Sequence, residues 1–180
     1  MQHVKAKQKQ SQKSIPGFSY NNELAVPRLS KIVVSAGTGS GMKKDRERNT
    51  LVADRLAKIT GQKPALRAAK KSVASFKIRQ GDPVGLSVTL RGSRMLHFFD
   101  KLINIALPRT KDFRGIDPKA VDTIGNMTIG IKEHTIFPET SDEDLRDVFG
   151  LGITIVSTAT SRDEALAFFT HLGVPFKKSQ

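Results

Sequence analysis

The sequence predicts an α+β fold: a single domain with a mainly antiparallel sheet, helices packed on one of its faces, and a mobile basic loop. Three observations lead there. Short segments alternate apolar and polar residues with a period of two, as half-buried strands do. Three longer segments repeat apolar residues at helical spacing. Strand-like segments twice follow one another with no helix between them, which requires antiparallel or mixed pairing and leaves one sheet face without a helical cover. With 180 residues, 38% of them hydrophobic, the chain is long enough for one core. It shows no internal repeat.

The elements follow in order. Residues 1–17 form a basic, low-complexity tail: Lys5, Lys7, Lys9 and Lys13 stand there with no acid. Such composition buries too little apolar surface to offset its ordering entropy, so disorder is expected, and the folded domain is taken as 18–180. Order begins near Pro27. Ile32, Val33 and Val34 read as a strand, ended by Gly37, Gly39 and Gly41. Over 45–60, Leu51, Val52, Leu56 and Ile59 recur at helical spacing, and Gly61 supplies the stop. Residues 64–71 extend as a strand after Pro64, and 84–90 alternate as a second one. The strongest helix signal is Met95, Phe98, Phe99, Leu102, Ile103 and Ala106, closed by Pro108. Residues 108–125, with Pro, Gly and Asp at short intervals, read mostly as loop. Strands follow at 127–131 and 153–158. The last helix starts at Ser161, with Glu164 completing a capping box, and buries Ala165, Phe168, Phe169 and Leu172 before Gly173.

Composition narrows the function. Thirty Lys and Arg against seventeen Asp and Glu give a net charge of +13 and a pI near 10.2. A surplus of that size favours a polyanion, because each neutralised phosphate releases a condensed counterion. The absence of cysteine removes disulfides, thiolate metal sites and cysteine nucleophiles. Nucleic acid is the first candidate and an anionic membrane surface the second; no run approaches roughly 18 consecutive apolar residues, so nothing is expected to span a membrane, and no membrane is expected among the partners. The basic N-terminus lacks the apolar stretch of a secretory signal and uses Lys and Gln where a transit peptide would use Arg; the cytoplasm is expected.

No catalytic constellation assembles. The glycine run Gly37, Gly39, Gly41 lies between a strand and a helix, but Met42 stands where the dinucleotide fingerprint needs its third glycine. Lys43 and Lys44 break the P-loop pattern. His3, His97, His134 and His171 are scattered, with no i, i+4 pair. Asp142, Glu143 and Asp144 follow Ser141 as the first turn of a helix would, stabilised by its dipole. A polar acidic run is not the desolvated setting that raises a catalytic carboxylate's pKa. No cofactor, metal or enzymatic activity is expected.

Charge distribution is more telling. From 61 to 81 there is no acid, while Lys63, Arg67, Lys70, Lys71, Lys77 and Arg79 accumulate. Solvated faces usually mix both signs. Ser72, Gly81 and the small residues around Phe76 suggest a loop that shapes itself to an RNA backbone, with Phe76 either stacking on a base or entering the core. Arg91, Arg94, Arg109, Lys111 and Arg114 add to the surplus. At 139–147 the balance inverts: Glu139, Asp142, Glu143, Asp144 and Asp147 accompany a single Arg. That segment either meets a basic protein or is simply solvated. Three readings stay open on these grounds: a permanent component of an RNA particle, an RNA- or DNA-binding module such as an assembly chaperone, and an RNA-modifying enzyme.

Several motifs then match a known family. GQKP at 61–64, AKKSVASFKIRQGDPVG at 69–85, VTLRG at 88–92, KLINIALPR at 101–109 and DFRG at 112–115 resemble the universal large-subunit ribosomal protein five family, in its bacterial form. IGIKE with IFPE, the strand ITIVSTA, and Gly173-Val174-Pro175-Phe176 fit the same pattern, so the resemblance runs from about Phe18 to Phe176. It implies an antiparallel sheet with helices, and binding to 5S rRNA and large-subunit 23S-type rRNA among the other central-protuberance proteins. By resemblance the 5S surface includes Ser35, Gln62 and Thr89, helped by Lys63, Arg67 and Arg91. The loop with Lys70, Lys71, Ser72, Phe76, Lys77 and Arg79 resembles the one that reaches P-site tRNA. The acids after Pro138 resemble the region that meets small-subunit ribosomal protein thirteen. The chain departs from the family at Ser35, where Asn is usual, in the tail that replaces an N-terminal helix, and at 121–127, which lacks an Arg and an aromatic residue.

Overall fold

A computed structural model of the chain describes residues 15–39, 48–111, 113–140 and 148–177. Its strands are β1 (Leu29–Gly37), β2 (Ala65–Ala68), β3 (Pro83–Leu90), β4 (Met127–Ile131) and β5 (Leu151–Ser157). Its helices are α1 (Arg48–Thr60), α2 (Gly92–Lys101) and α3 (Arg162–His171). The chain order is the one the sequence predicts. The strands form one five-stranded antiparallel sheet in the order β2-β3-β1-β5-β4. Of the expected tail, residues 1–14 lie outside the described residues, as do the glycine Gly41 and the expected capping box at Ser141 and Asp144. Ile15 is buried, and the N–H of Phe18 donates to its carbonyl at 3.0 Å.

Contacts divide the chain into two compact units, and the division passes through β1, β4 and β5. In the unit of Val33–Leu90 and Gly130–Ile153, α1 packs on β3. Val52, Leu56 and Ile59 form the buried stripe of that helix, while Leu86, Val88 and Leu90 are the buried alternate residues of the strand. The α1 helix ends as its Gly61 predicts: φ is +67°, a left-handed conformation that glycine adopts without Cβ strain, and its N–H donates to the Ala57 carbonyl at 2.8 Å. Inside this unit Arg55 and His134 are both buried. The imidazole stacks on Phe149 at 4.1 Å, and Arg55 Nη1 lies 3.3 Å from its Nε2.

In the unit of residues up to Ile32, Arg91–Ile129 and Thr154 onward, α2 buries Met95, Phe98 and Phe99. The helical pattern that the sequence carries unbroken to Pro108 changes at Leu102–Ala106, which is a π turn closed by Leu107 N–H donating to the Leu102 carbonyl at 2.9 Å. Proline has no N–H with which to continue the ladder. The wider turn brings Ala106 and Leu107 inward together, both being buried.

The α3 cap is fuller than a reciprocal box. Ser161 Oγ accepts from the Glu164 N–H at 3.3 Å. The Glu164 carboxylate accepts from the Thr160 N–H at 2.7 Å, the Thr160 hydroxyl at 2.9 Å and the Tyr20 hydroxyl at 2.8 Å. Burial works to raise the Glu164 pKa, but these hydrogen bonds outweigh it and hold the carboxyl below its ordinary value. Burial, and then the adjoining carboxylate, push Tyr20 well above the usual tyrosine range. A carboxyl depressed in the folded state contributes stability above its unfolded pKa and loses it as pH falls through the folded value. Glu164→Gln is therefore expected to destabilise the protein at neutral pH, with the gap from wild type closing below about pH 4.3, the ordinary glutamate value. Denaturant unfolding of both proteins across pH 3–7, with roughly unit steps, checks this; a gap constant with pH would mean that the carboxylate charge is not what the cap uses.

Candidate nucleic-acid interface

The expected site residues gather mostly in one unit. Strand β2 pairs antiparallel with β3, with Ala65 opposite Ser87, Leu66 opposite Leu86 and Arg67 opposite Gly85. Directly opposed residues share a sheet face. Leu86 points into the core beneath α1, so Arg67, Gly85, Ser87 and Thr89 belong to the other face. On β1 the same alternation buries Val34 and Ala36 and leaves Val33, Ser35 and Gly37 on the open side. Within this unit the open face thus carries glycine, serine, threonine and one arginine beside Val33 and Ala65, a surface with little apolar bulk and many hydrogen-bonding groups.

The side chains on it are held by short local contacts. Ser35 Oγ donates to the Gly152 carbonyl of the neighbouring β5 at 3.2 Å. Gln62 follows α1, and its Nε2 donates to the Thr89 carbonyl at 3.4 Å, tying the helix exit to β3. Arg67 Nε donates to Ser87 Oγ at 2.6 Å. Lys63 is exposed beside them. Arg91 is also exposed, but it belongs to the other unit, where it is the N-cap residue of α2.

Between β2 and β3 the loop expected to be mobile is tied to itself. Val73 and Ile78 exchange backbone hydrogen bonds at 2.9 and 3.2 Å, and Lys77 N–H donates to the Ala74 carbonyl at 2.9 Å, making a small hairpin. Lys77 carries a φ of +52°, the left-handed conformation such a tight turn demands. Ser72 Oγ accepts from the Gln80 N–H at 3.0 Å, and Asp82 accepts from the Arg79 N–H at 2.8 Å. At the root, Ala69 N–H donates to the Asp82 carbonyl at 2.8 Å, and Gly81 N–H to the Ala69 carbonyl at 3.0 Å. The backbone is occupied internally, and the side chains face solvent. Phe76 is 71% exposed at the hairpin tip, so of its two sequence readings the core one is excluded. Lys70, Lys71, Lys77 and Arg79 are exposed as well. Among the described residues, none of these cations forms an ion pair with a carboxylate.

Of the acidic group, Glu139 is exposed on the short turn Pro138–Thr140. Asp142, Glu143, Asp144 and Asp147 lie outside the described residues. Among the described residues, no group of His, Asp and Glu is arranged to hold a metal ion. Sequence reasoning named Thr89 but passed over Gly85 and Ser87; the period-two alternation of β3 was signal enough to place all three on one face. It also passed over the buried Arg55 and His134, whose pairing spans α1 and a distant turn and leaves no local pattern.

An open sheet face of hydroxyls and glycines, continued by a basic hairpin whose exposed cations form no ion pair among the described residues, defines the class: a basic α+β protein suited to a nucleic-acid backbone. Comparison with known families then places it. Residues 22–79 match the family described as Ribosomal protein L5, and residues 83–176 match the one described as the C-terminus of the ribosomal L5 family. The chain is 48% identical over 161 residues, 89% of each chain, to the Large ribosomal subunit protein uL5 of Halothermothrix orenii. The proteins of that name from Anaeromyxobacter sp. (strain K) and Desulfatibacillum aliphaticivorans are 47% and 48% identical over the same share. The chain belongs to the ribosomal protein L5 (uL5) family, in its bacterial form. That family is a structural kind of protein whose role is RNA binding.

Proposed function

We propose that the chain is a non-catalytic constituent of the large ribosomal subunit that binds 5S rRNA and large-subunit 23S-type rRNA in the central protuberance. One RNA-binding domain, residues 18–180, performs this in the cytoplasmic ribosome. The 5S surface comprises Ser35, Gln62, Lys63, Arg67, Thr89 and Arg91. The hairpin with Lys70, Lys71, Ser72, Phe76, Lys77 and Arg79 reaches P-site tRNA, and Glu139 with Asp142, Glu143, Asp144 and Asp147 meets small-subunit ribosomal protein thirteen across an intersubunit bridge. The observation that carries the reading is the set of exposed cations on β2 and its hairpin, with no ion pair to a carboxylate among the described residues. A row of cations without ion-pair partners repels itself, and it is stabilised when a phosphate backbone supplies the missing charge.

The test is binding to 5S rRNA against a length-matched structured RNA across a salt titration. A preference for 5S rRNA that persists near physiological salt is expected. Equal binding to both, collapsing as salt rises, would mean that the net charge of +13 alone drives association. Retention on large subunits through a high-salt wash would further separate a resident protein from an assembly chaperone, which such a wash removes.

A further inference from the structure

Arg67 is the arginine of the acid-free run that stands within a strand. It lies opposite Gly85, and the next pair on the same face is Ala65 with Ser87. No side chain on Gly85 lifts the guanidinium away from the sheet. A Cβ at that glycine would stand 2.9 Å from the Ala36 carbonyl oxygen, so the neighbouring backbone keeps this floor bare. Arg67 therefore runs diagonally across the two strands, and its Nε donates to Ser87 Oγ at 2.6 Å. Ser87 is only 8% exposed, which makes its hydroxyl a fixed post rather than a surface rotor.

A guanidinium has five N–H donors in one plane, and its Nε is the donor nearest the backbone. Anchoring that one fixes the plane. The terminal nitrogens have no partner among the described residues, and the residue is exposed. An arginine held this way presents a two-pronged end that matches two oxygens of one phosphate, a contact a lysine cannot reproduce. We propose that Ser87 is a positioning residue of the RNA interface, holding Arg67 by Nε so that its two terminal nitrogens meet one backbone phosphate of the RNA end-on. The inference rests on the reading that this face binds 5S rRNA.

The experiment is a salt titration of 5S rRNA binding with the full chain, comparing Ser87→Ala, Arg67→Ala, the double variant, Ser87→Thr and Arg67→Lys. Arg67→Ala removes the phosphate contact and flattens the log–log salt slope by roughly 0.9 for a duplex-like target. Ser87→Ala weakens binding about three- to tenfold, the range of one charge-assisted contact loosened rather than deleted. Added to Arg67→Ala, it changes nothing further, because its effect passes through the guanidinium. Ser87→Thr, which keeps the hydroxyl, binds as wild type. Arg67→Lys, whose ammonium lacks the planar fork, weakens binding too; should Ser87→Ala fail to fold, Ser87→Cys, near in size but only a weak acceptor, carries the test with the same expected loss. Wild-type binding by Ser87→Ala alongside a weakened Arg67→Ala, or effects that simply add, would overturn the positioning role alone. Wild-type binding by Arg67→Ala would overturn the reading of the face, and the positioning role with it.

Discussion

Phe99→Ala is expected to lower the unfolding free energy by about 3–5 kcal/mol, the range for deleting a buried phenyl ring and leaving its cavity. Phe99 is 0% exposed and sits among the largest fully buried side chains. It lies on α2 between Met95 and Leu102, both buried, so the helix face that holds it has no route to solvent by which the space is refilled cheaply. The π turn that follows leaves the helix little freedom to shift: Leu107 N–H is already committed to the Leu102 carbonyl at 2.9 Å. Urea unfolding reads the effect as a lower midpoint with an unchanged slope. Near-wild-type unfolding would show that this face of α2 is not core. The expected effect is a large share of a typical domain's stability, about 5–15 kcal/mol in all.

Reversing the charges of Lys70 and Lys71 to glutamate is expected to act on binding and not on the fold. Both side chains are exposed at the root of the hairpin, and the hydrogen bonds that close that root come from the backbone of Ala69, Gly81 and Asp82. Unfolding should therefore match wild type. RNA affinity should fall, and the salt slope should flatten by up to roughly 0.9 for each phosphate that is no longer neutralised on a duplex-like target. Between 50 and 200 mM salt, in order of magnitude, each such phosphate makes the decline about threefold shallower. Weakened binding with an unchanged slope would contradict direct engagement of phosphate. An unaltered affinity for 5S rRNA would place these lysines away from it, and the same variants would then be measured against tRNA.

How much of this was legible beforehand depended on the range of the signal. The α1 stop at Gly61, the α3 cap at Ser161 and β4 at 127–131 are written in neighbouring residues, since caps, left-handed glycines and alternating patterns act within one or two turns of chain. The basic run was legible because charge is carried by composition. What escaped was anything set by a partner distant in sequence. The Tyr20 hydroxyl that completes the Glu164 cap comes from 144 positions away, and no local rule names it. Phe76 shows the limit most plainly. An aromatic residue among small ones reads equally as anchor or as core, and its 71% exposure is fixed by the hairpin closing at Val73 and Ile78.

The sequence by itself determined the α+β class, the order of strands and helices, the polyanion preference and, through its motifs, the family. These follow from periodicity, local turn chemistry and charge, none of which needs the chain to be folded to be counted. Only the tertiary structure decided which face of the β2–β3 pair carries the arginine. It also set Gly85 beneath that arginine and brought the Ser87 hydroxyl to its Nε. Cross-strand register does this: residues 20 apart in sequence become hydrogen-bond partners once β2 and β3 pair, and a shift of one residue would turn each of them to the opposite face.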